Sequence, residues 1–105
     1  SLIALTKFSE EMSLLMDVNK IVELKKDFLI ERIDGEITVY HPTLTTAVYL
    51  NETGALIWEL CDGKRTILDI IGALSEQYPE SRTQIETDVK TLITQLIERD
   101  IGVLK

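Results

Sequence analysis

The side chains able to do chemistry are few and far apart. His41 is the single histidine and Cys61 the single cysteine, and they stand 20 residues apart. A general base needs a partner that orients it, and no such partner adjoins His41, which sits at the end of an extended run next to Pro42. Zinc sites of the usual kinds need clusters of Cys and His, and an iron–sulfur radical enzyme needs a Cys-x-x-x-Cys-x-x-Cys run. The chain has neither. Gly54 and Gly63 are too far apart to cradle a phosphate, so each is read as a packing or capping residue. Glu52, Glu59, Asp62 and Asp69 flank helix ends and faces, where carboxylates serve as caps or solvated charges. Cys61, with no basic neighbour to lower its pKa, reads as a small half-buried hydrophobe. These residues predict no catalytic constellation, no metal site and no cofactor.

The elements that would position any site are clearer. The run Ala47-Val48-Tyr49-Leu50 is strand-like, Asn51 is a good N-cap, and Glu52 to Leu60 has helical spacing, so a strand passes directly into a helix. Leu56, Ile57 and Leu60 define that helix's apolar face, Trp58 widens it, and Gly63 supplies a residue that can take positive φ and stop the helix. Upstream, Phe28 to Ile33 and Glu36 to His41 alternate with a period of two around Asp34-Gly35, a strong signal for a two-residue hairpin turn. Ile21 to Leu24 is an extended lead-in.

Downstream, Thr66 with Asp69 resembles a capping box opening a second helix, with a stripe of Ile67, Ile70, Ile71, Leu74 and Tyr78, and Pro79 ends it. A third helix, capped by Ser81-x-x-Gln84 or Thr83-x-x-Glu86, carries Ile85, Val89, Leu92, Ile93, Leu96 and Ile97 over an arc of about 140°, wider than one core face needs. Ile101 to Leu104 is a short extended tail. The order predicts an α+β, winged-helix-like domain with a three-stranded antiparallel sheet followed by three helices.

A chain of 105 residues with 45% hydrophobic and 28% charged residues fits one soluble globular domain. Residues 1–20 read as an N-terminal arm and 21–105 as the domain. In the arm, Phe8, Met12, Leu15 and Met16 share a helical face that packs on its own domain or is exchanged between subunits of a homodimer. No apolar run approaches the roughly 20 residues that cross a bilayer, and the first residues lack the basic region of a secretory signal. The lone cysteine agrees with a reducing compartment, so the cytoplasm is the expected location. A net charge of −7 opposes contact with nucleic acid. In the third helix Arg82, Lys90 and Arg99 are outnumbered by Glu86, Asp88, Glu98 and Asp100, which argues against a DNA-reading winged helix.

The run Tyr49-Leu50-Asn51-Glu52-Thr53-Gly54, then Ile57-Trp58-Glu59-Leu60 and Asp62-Gly63, a proline after an amphipathic helix, and Asp88-Val89 in the last helix together resemble the PqqD-like family of RiPP recognition elements. The similarity runs from about Leu24 to Leu104 and leaves residues 1–20 uncovered. It implies a non-catalytic protein that captures the leader of a ribosomally made precursor peptide as an added strand. The partner would be a peptide-modifying enzyme, often of the radical SAM class, as in pyrroloquinoline quinone synthesis. Carried onto this chain, the receiving strand is Ala47, Val48, Tyr49 and Leu50. The resemblance leaves the helix flank open. The wheel offers Lys90, Ile93 and Ile97 on one side, with Asp88 and Arg99 as the competing flank. The other readings are a docking subunit of a protein complex and, behind it, a DNA-binding winged helix.

Overall fold

A computed structural model of the protein describes residues 15–105. Among these, the elements in chain order are β1 (Val22–Leu24), β2 (Leu29–Ile33), β3 (Glu36–Tyr40), β4 (Ala47–Leu50), α1 (Glu52–Leu60), α2 (Ile67–Gln77), a 3-10 turn (Pro79–Ser81), α3 (Arg82–Glu98) and β5 (Gly102–Leu104). The fold is α+β, as expected: β2, β3 and β4 form an antiparallel sheet in that order, and three helices follow. The helical face Phe8–Met12–Leu15–Met16, and with it the arm exchange, lies outside the described residues apart from its last two members.

Local chemistry sets the element boundaries. Asp34 and Gly35 both take positive φ, 50° and 81°, as the tight β2–β3 turn requires. Asn51 caps α1 by accepting from the Gly54 N–H at 2.9 Å. Thr66 and Asp69 form the expected reciprocal capping box at the start of α2. Gly63 turns at φ 78°, and the Asp62 carboxylate accepts from the N–H groups of Lys64 and Arg65 beside it. Those backbone donors, with the Arg65 guanidinium, hold the Asp62 carboxyl below the usual carboxylate range.

The core lies between one face of the sheet and the helices. Ile37, Val39, Val48 and Leu50 descend from β3 and β4 onto Ile57 and Trp58 of α1, Ile70, Ile71 and Leu74 of α2, and Val89, Leu92, Ile93 and Leu96 of α3. Cys61 is buried in this cluster and its thiol donates to the Ile57 carbonyl at 3.3 Å. Burial, with the adjacent Asp62 charge, pushes that thiol up to about 12. Folded protein is therefore expected to react with thiol reagents at pH 8 at least about a hundredfold more slowly than protein in urea, because the thiolate is the nucleophile. Equal labelling rates in the two states would show that Cys61 is open.

Several expectations change on packing. The lead-in and the tail pair with each other, Val22 opposite Leu104 and Leu24 opposite Gly102, as a separate two-stranded ribbon. The strands run close there, and a Cβ on Gly102 would stand 3.4 Å from the Glu23 carbonyl oxygen. Lys20 and Val18 carbonyls accept from the Ile67 and Leu68 N–H groups, supplying two of the acceptors that the first turn of α2 needs. In α1 the buried residues are Ala55, Ile57 and Trp58, while Leu56 faces solvent, because the helix is covered by the sheet on one side and α3 on another. Tyr78 is exposed beyond the end of α2 rather than in its buried stripe. Neither proposed side-chain cap forms at α3: Ser81 makes no cap bond, and the 3-10 turn from Pro79 leads straight into the helix.

Candidate functional site

The strand β4 is one edge of its sheet, with β3 on one side only. Which of its backbone groups face outward follows from the register. His41 N–H donates to the Thr46 carbonyl at 3.0 Å, and the pairing continues as Tyr40 opposite Ala47, Val39 opposite Val48 and Thr38 opposite Tyr49. Bonded and non-bonded pairs alternate along an antiparallel ladder. The N–H and C=O of Val48 and Leu50 therefore point to β3, and those of Ala47 and Tyr49 point away from the sheet. An independent contact agrees: the Arg99 guanidinium, from the end of α3, donates to the Ala47 carbonyl at 3.0 Å.

The outward edge of β4 opens on a cleft with a volume of about 310 Å³. One wall is Tyr49, Leu50 and Asn51 running into Thr53, Gly54 and Ile57; the opposite wall is Asp88, Thr91, Leu92 and Gln95 of α3. On a helix, positions 88, 91, 92 and 95 make one stripe, and position 99 extends it by a further turn. Gly54 keeps the strand-to-helix corner tight, since a Cβ there would lie 3.3 Å from Leu50 Cβ. The floor is apolar, through Leu50, Ile57 and Leu92, and the rim is polar.

The residues predicted as a site divide accordingly. The structure brings Tyr49, Leu50 and Asp88 to the cleft; Ala47 and Arg99 do not line it but meet each other beyond it, Ala47 two residues before Tyr49 and Arg99 four after Gln95. Val48 belongs to the same strand, but its side chain is buried in the core and its N–H faces β3. Lys90, Ile93 and Ile97 are not on the cleft. Ile93 is fully buried, Ile97 packs against the core, and Lys90 pairs with Glu86 one turn earlier. The wide apolar arc of α3 is taken up by its packing against α1, α2 and β5 at once, and not by a groove. Thr91, Leu92, Gln95, Asn51 and Thr53 line the cleft but are not among the site residues predicted from the sequence. The stripe through Asp88 at i, i+3, i+4 and i+7 was the signal that could have found Thr91, Leu92 and Gln95.

Other polar residues are accounted for locally. His41 Nδ1 accepts from the Thr43 and Leu44 N–H groups at 3.1 and 3.0 Å, holding the loop before β4, and its ring meets Phe28 edge-on. The phenol of Tyr49 is held above its ordinary pKa chiefly by its hydrogen bond with Glu36, which tethers the ring on the solvent face of the sheet. Among the described residues no group of three or more His, Cys, Asp and Glu is arranged to hold a metal ion, and no helix is long and apolar enough to cross a membrane.

The strand-to-helix corner that forms one wall of this cleft lies inside a family match. The family described as Coenzyme PQQ synthesis protein D (PqqD) matches residues 28–101. The chain belongs to the PqqD family. Its match covers β2 through the end of α3 and so includes both walls of the cleft, while β1 and β5 fall outside it. Among solved structures, the chain is similar to "TbiB1 in Complex with the TbiA(beta) Leader Peptide", with a TM-score of 0.65 and 21% sequence identity over 76% of this chain and 93% of that one. At that identity the likeness is one of fold. No curated protein matches the chain in sequence.

Proposed function

We propose that this PqqD-family protein is a non-catalytic peptide-binding module that takes the leader of a ribosomally made precursor peptide as an added strand on β4. The bound leader is then presented to a peptide-modifying enzyme, of which the radical SAM class is the first candidate. The observation that carries the reading is the outward backbone of Tyr49 facing α3 across an open cleft, with the outward groups of Ala47 next along the same edge. An edge strand with unpaired N–H and C=O groups is a template for β-augmentation, and apolar pockets beside it sort alternate side chains. Family membership and the leader peptide in the similar TbiB1 structure support the same mode.

The test is titration of a labelled leader peptide, taken from a precursor gene beside this one, followed by fluorescence anisotropy. Thr91→Trp, on the exposed face of the α3 wall, is expected to fill the cleft and weaken binding at least about tenfold, a steric loss of 1.4 kcal/mol or more. Unchanged affinity in a folded Thr91→Trp protein would move the ligand elsewhere. A second reading, a docking subunit, is favoured by β2, which is exposed along its whole length and carries Leu29, Ile30 and Ile33 at the opposite sheet edge. Leader binding that is absent, with a protein partner retained through β2, would make that reading the better one.

A further inference from the structure

We propose that Arg99 is a specificity-determining residue of the cleft, exchanging the Ala47 carbonyl for a carboxylate side chain of the bound strand. With Asp88 at the far end, it selects a peptide whose charges run opposite to the cleft's own. The inference rests on strand addition to β4 and adds to it the chemical class of the peptide.

The geometry begins at the edge. Ala47 C=O is one of the outward acceptors that an added strand needs, and Arg99 Nη1 already occupies it at 3.0 Å. An incoming N–H on the outward side competes with the guanidinium for that oxygen, and pairing there frees guanidinium donors for another acceptor. A charged side chain laid on an exposed edge is also a means by which a free strand avoids pairing with unwanted chains. The released guanidinium then lies beside the new strand, where a carboxylate of that strand can receive it. Arg99 makes no ion pair among the described residues, and it differs from other such cations in that its donor rests on the outward carbonyl of β4. A planar guanidinium with free donors is best satisfied by a carboxylate, which takes two parallel N–H bonds.

The other end of the cleft has the opposite sign. Asp88 lines it, half-buried, accepting from Gln84 Nε2 at 2.8 Å with no cation in an ion pair with it among the described residues. From position 88 to position 99 the helix rises about 16 Å, the reach of roughly five strand residues. Since β4 runs from the Arg99 end to the Asp88 end, a strand added antiparallel to it enters at Asp88 and leaves at Arg99. Such a peptide carries its basic residue first and its acidic residue about five positions later. Parallel addition reverses the order, so the order of charges reports strand direction. A protein with a formal charge of −7 has little reason to attract acidic peptides as a class, which makes the requirement for one placed carboxylate distinctive.

The experiment selects a display library of random linear peptides against the protein and against Arg99→Gln. It then titrates a synthetic copy of an enriched peptide and its acid-to-amide variant. The expected result is an acidic position at fixed spacing from the alternating apolar ones among peptides taken by the parent. Changing that acid to its amide is expected to weaken parent binding about tenfold, and the ratio between acid and amide peptides should fall to about one in Arg99→Gln. Arg99→Lys, which keeps the charge but loses the planar fork, should retain only part of the ratio. Peptides that bind without an acid preference, or a preference that persists in Arg99→Gln, overturn this inference while peptide capture stands. Enrichment of no peptide by either protein overturns capture itself, and this inference with it. Arg99 is exposed at the helix end, and thermal unfolding of each variant checks that the fold is retained.

Discussion

Tyr49→Pro is expected to weaken leader binding by well over tenfold while the domain stays folded. The Tyr49 N–H points away from β3, so proline there removes no bond of the ladder, and proline is tolerated on the free side of an edge strand. What it removes is one outward donor, and its ring occupies the space the added strand needs. Losing a backbone bond and its neighbour is expected to cost on the order of 2 to 3 kcal/mol of binding, roughly thirty- to a hundred-and-fiftyfold in Kd. Val48→Pro is the companion. Its N–H faces β3 and its side chain is buried, so it should lower the stability of the sheet by about 3 kcal/mol or more. Anisotropy titration and urea unfolding of both variants decide the matter. Tyr49→Pro binding like the parent would remove β4 as the receiving strand, and an intact Val48→Pro would show that the phase of the ladder is wrong.

Trp58→Ala is expected to destabilise the protein by roughly 3 to 5 kcal/mol, the range for truncating a large buried aromatic. Trp58 is 7% exposed in α1, and that helix is packed by β3 and β4 on one side and by α3 on the other. No single movement of a neighbour closes a cavity lined from both sides, which places the cost toward the upper part of the range. Against a total stability of about 5 to 15 kcal/mol for a domain of this kind, the loss leaves a substantial unfolded fraction. The consequence reaches the site, because α1 begins at the cleft wall. Urea denaturation followed by circular dichroism measures it, since the substitution deletes the protein's tryptophan fluorescence. A midpoint within error of the parent would mean that Trp58 is not a core residue, and Trp58→Phe should recover much of the loss.

The sequence by itself determined what is set within a few residues. The turn at Asp34-Gly35, the Asn51 cap and the Thr66–Asp69 capping box each depend on groups three or fewer positions apart, so their chemistry is complete in a short window. Alternation in β3 and the spacing of Ile70, Ile71 and Leu74 likewise identified an α+β domain, and the dense run from Tyr49 to Gly63 carried the family. Tertiary structure decided the rest. The ribbon of β1 and β5 joins Val22 to Leu104, and no local pattern specifies a partner that far along the chain. The outward groups of β4 depend on its register with β3, where a shift of one residue exchanges Val48 for Tyr49. The cleft flank of α3 was undecided for a related reason. An apolar arc of about 140° is consistent with either side until the neighbours are placed. With α3 packed on α2 and β5, and with Ile93 buried and Ile97 partly so, the stripe from Asp88 to Arg99 is the side left facing β4.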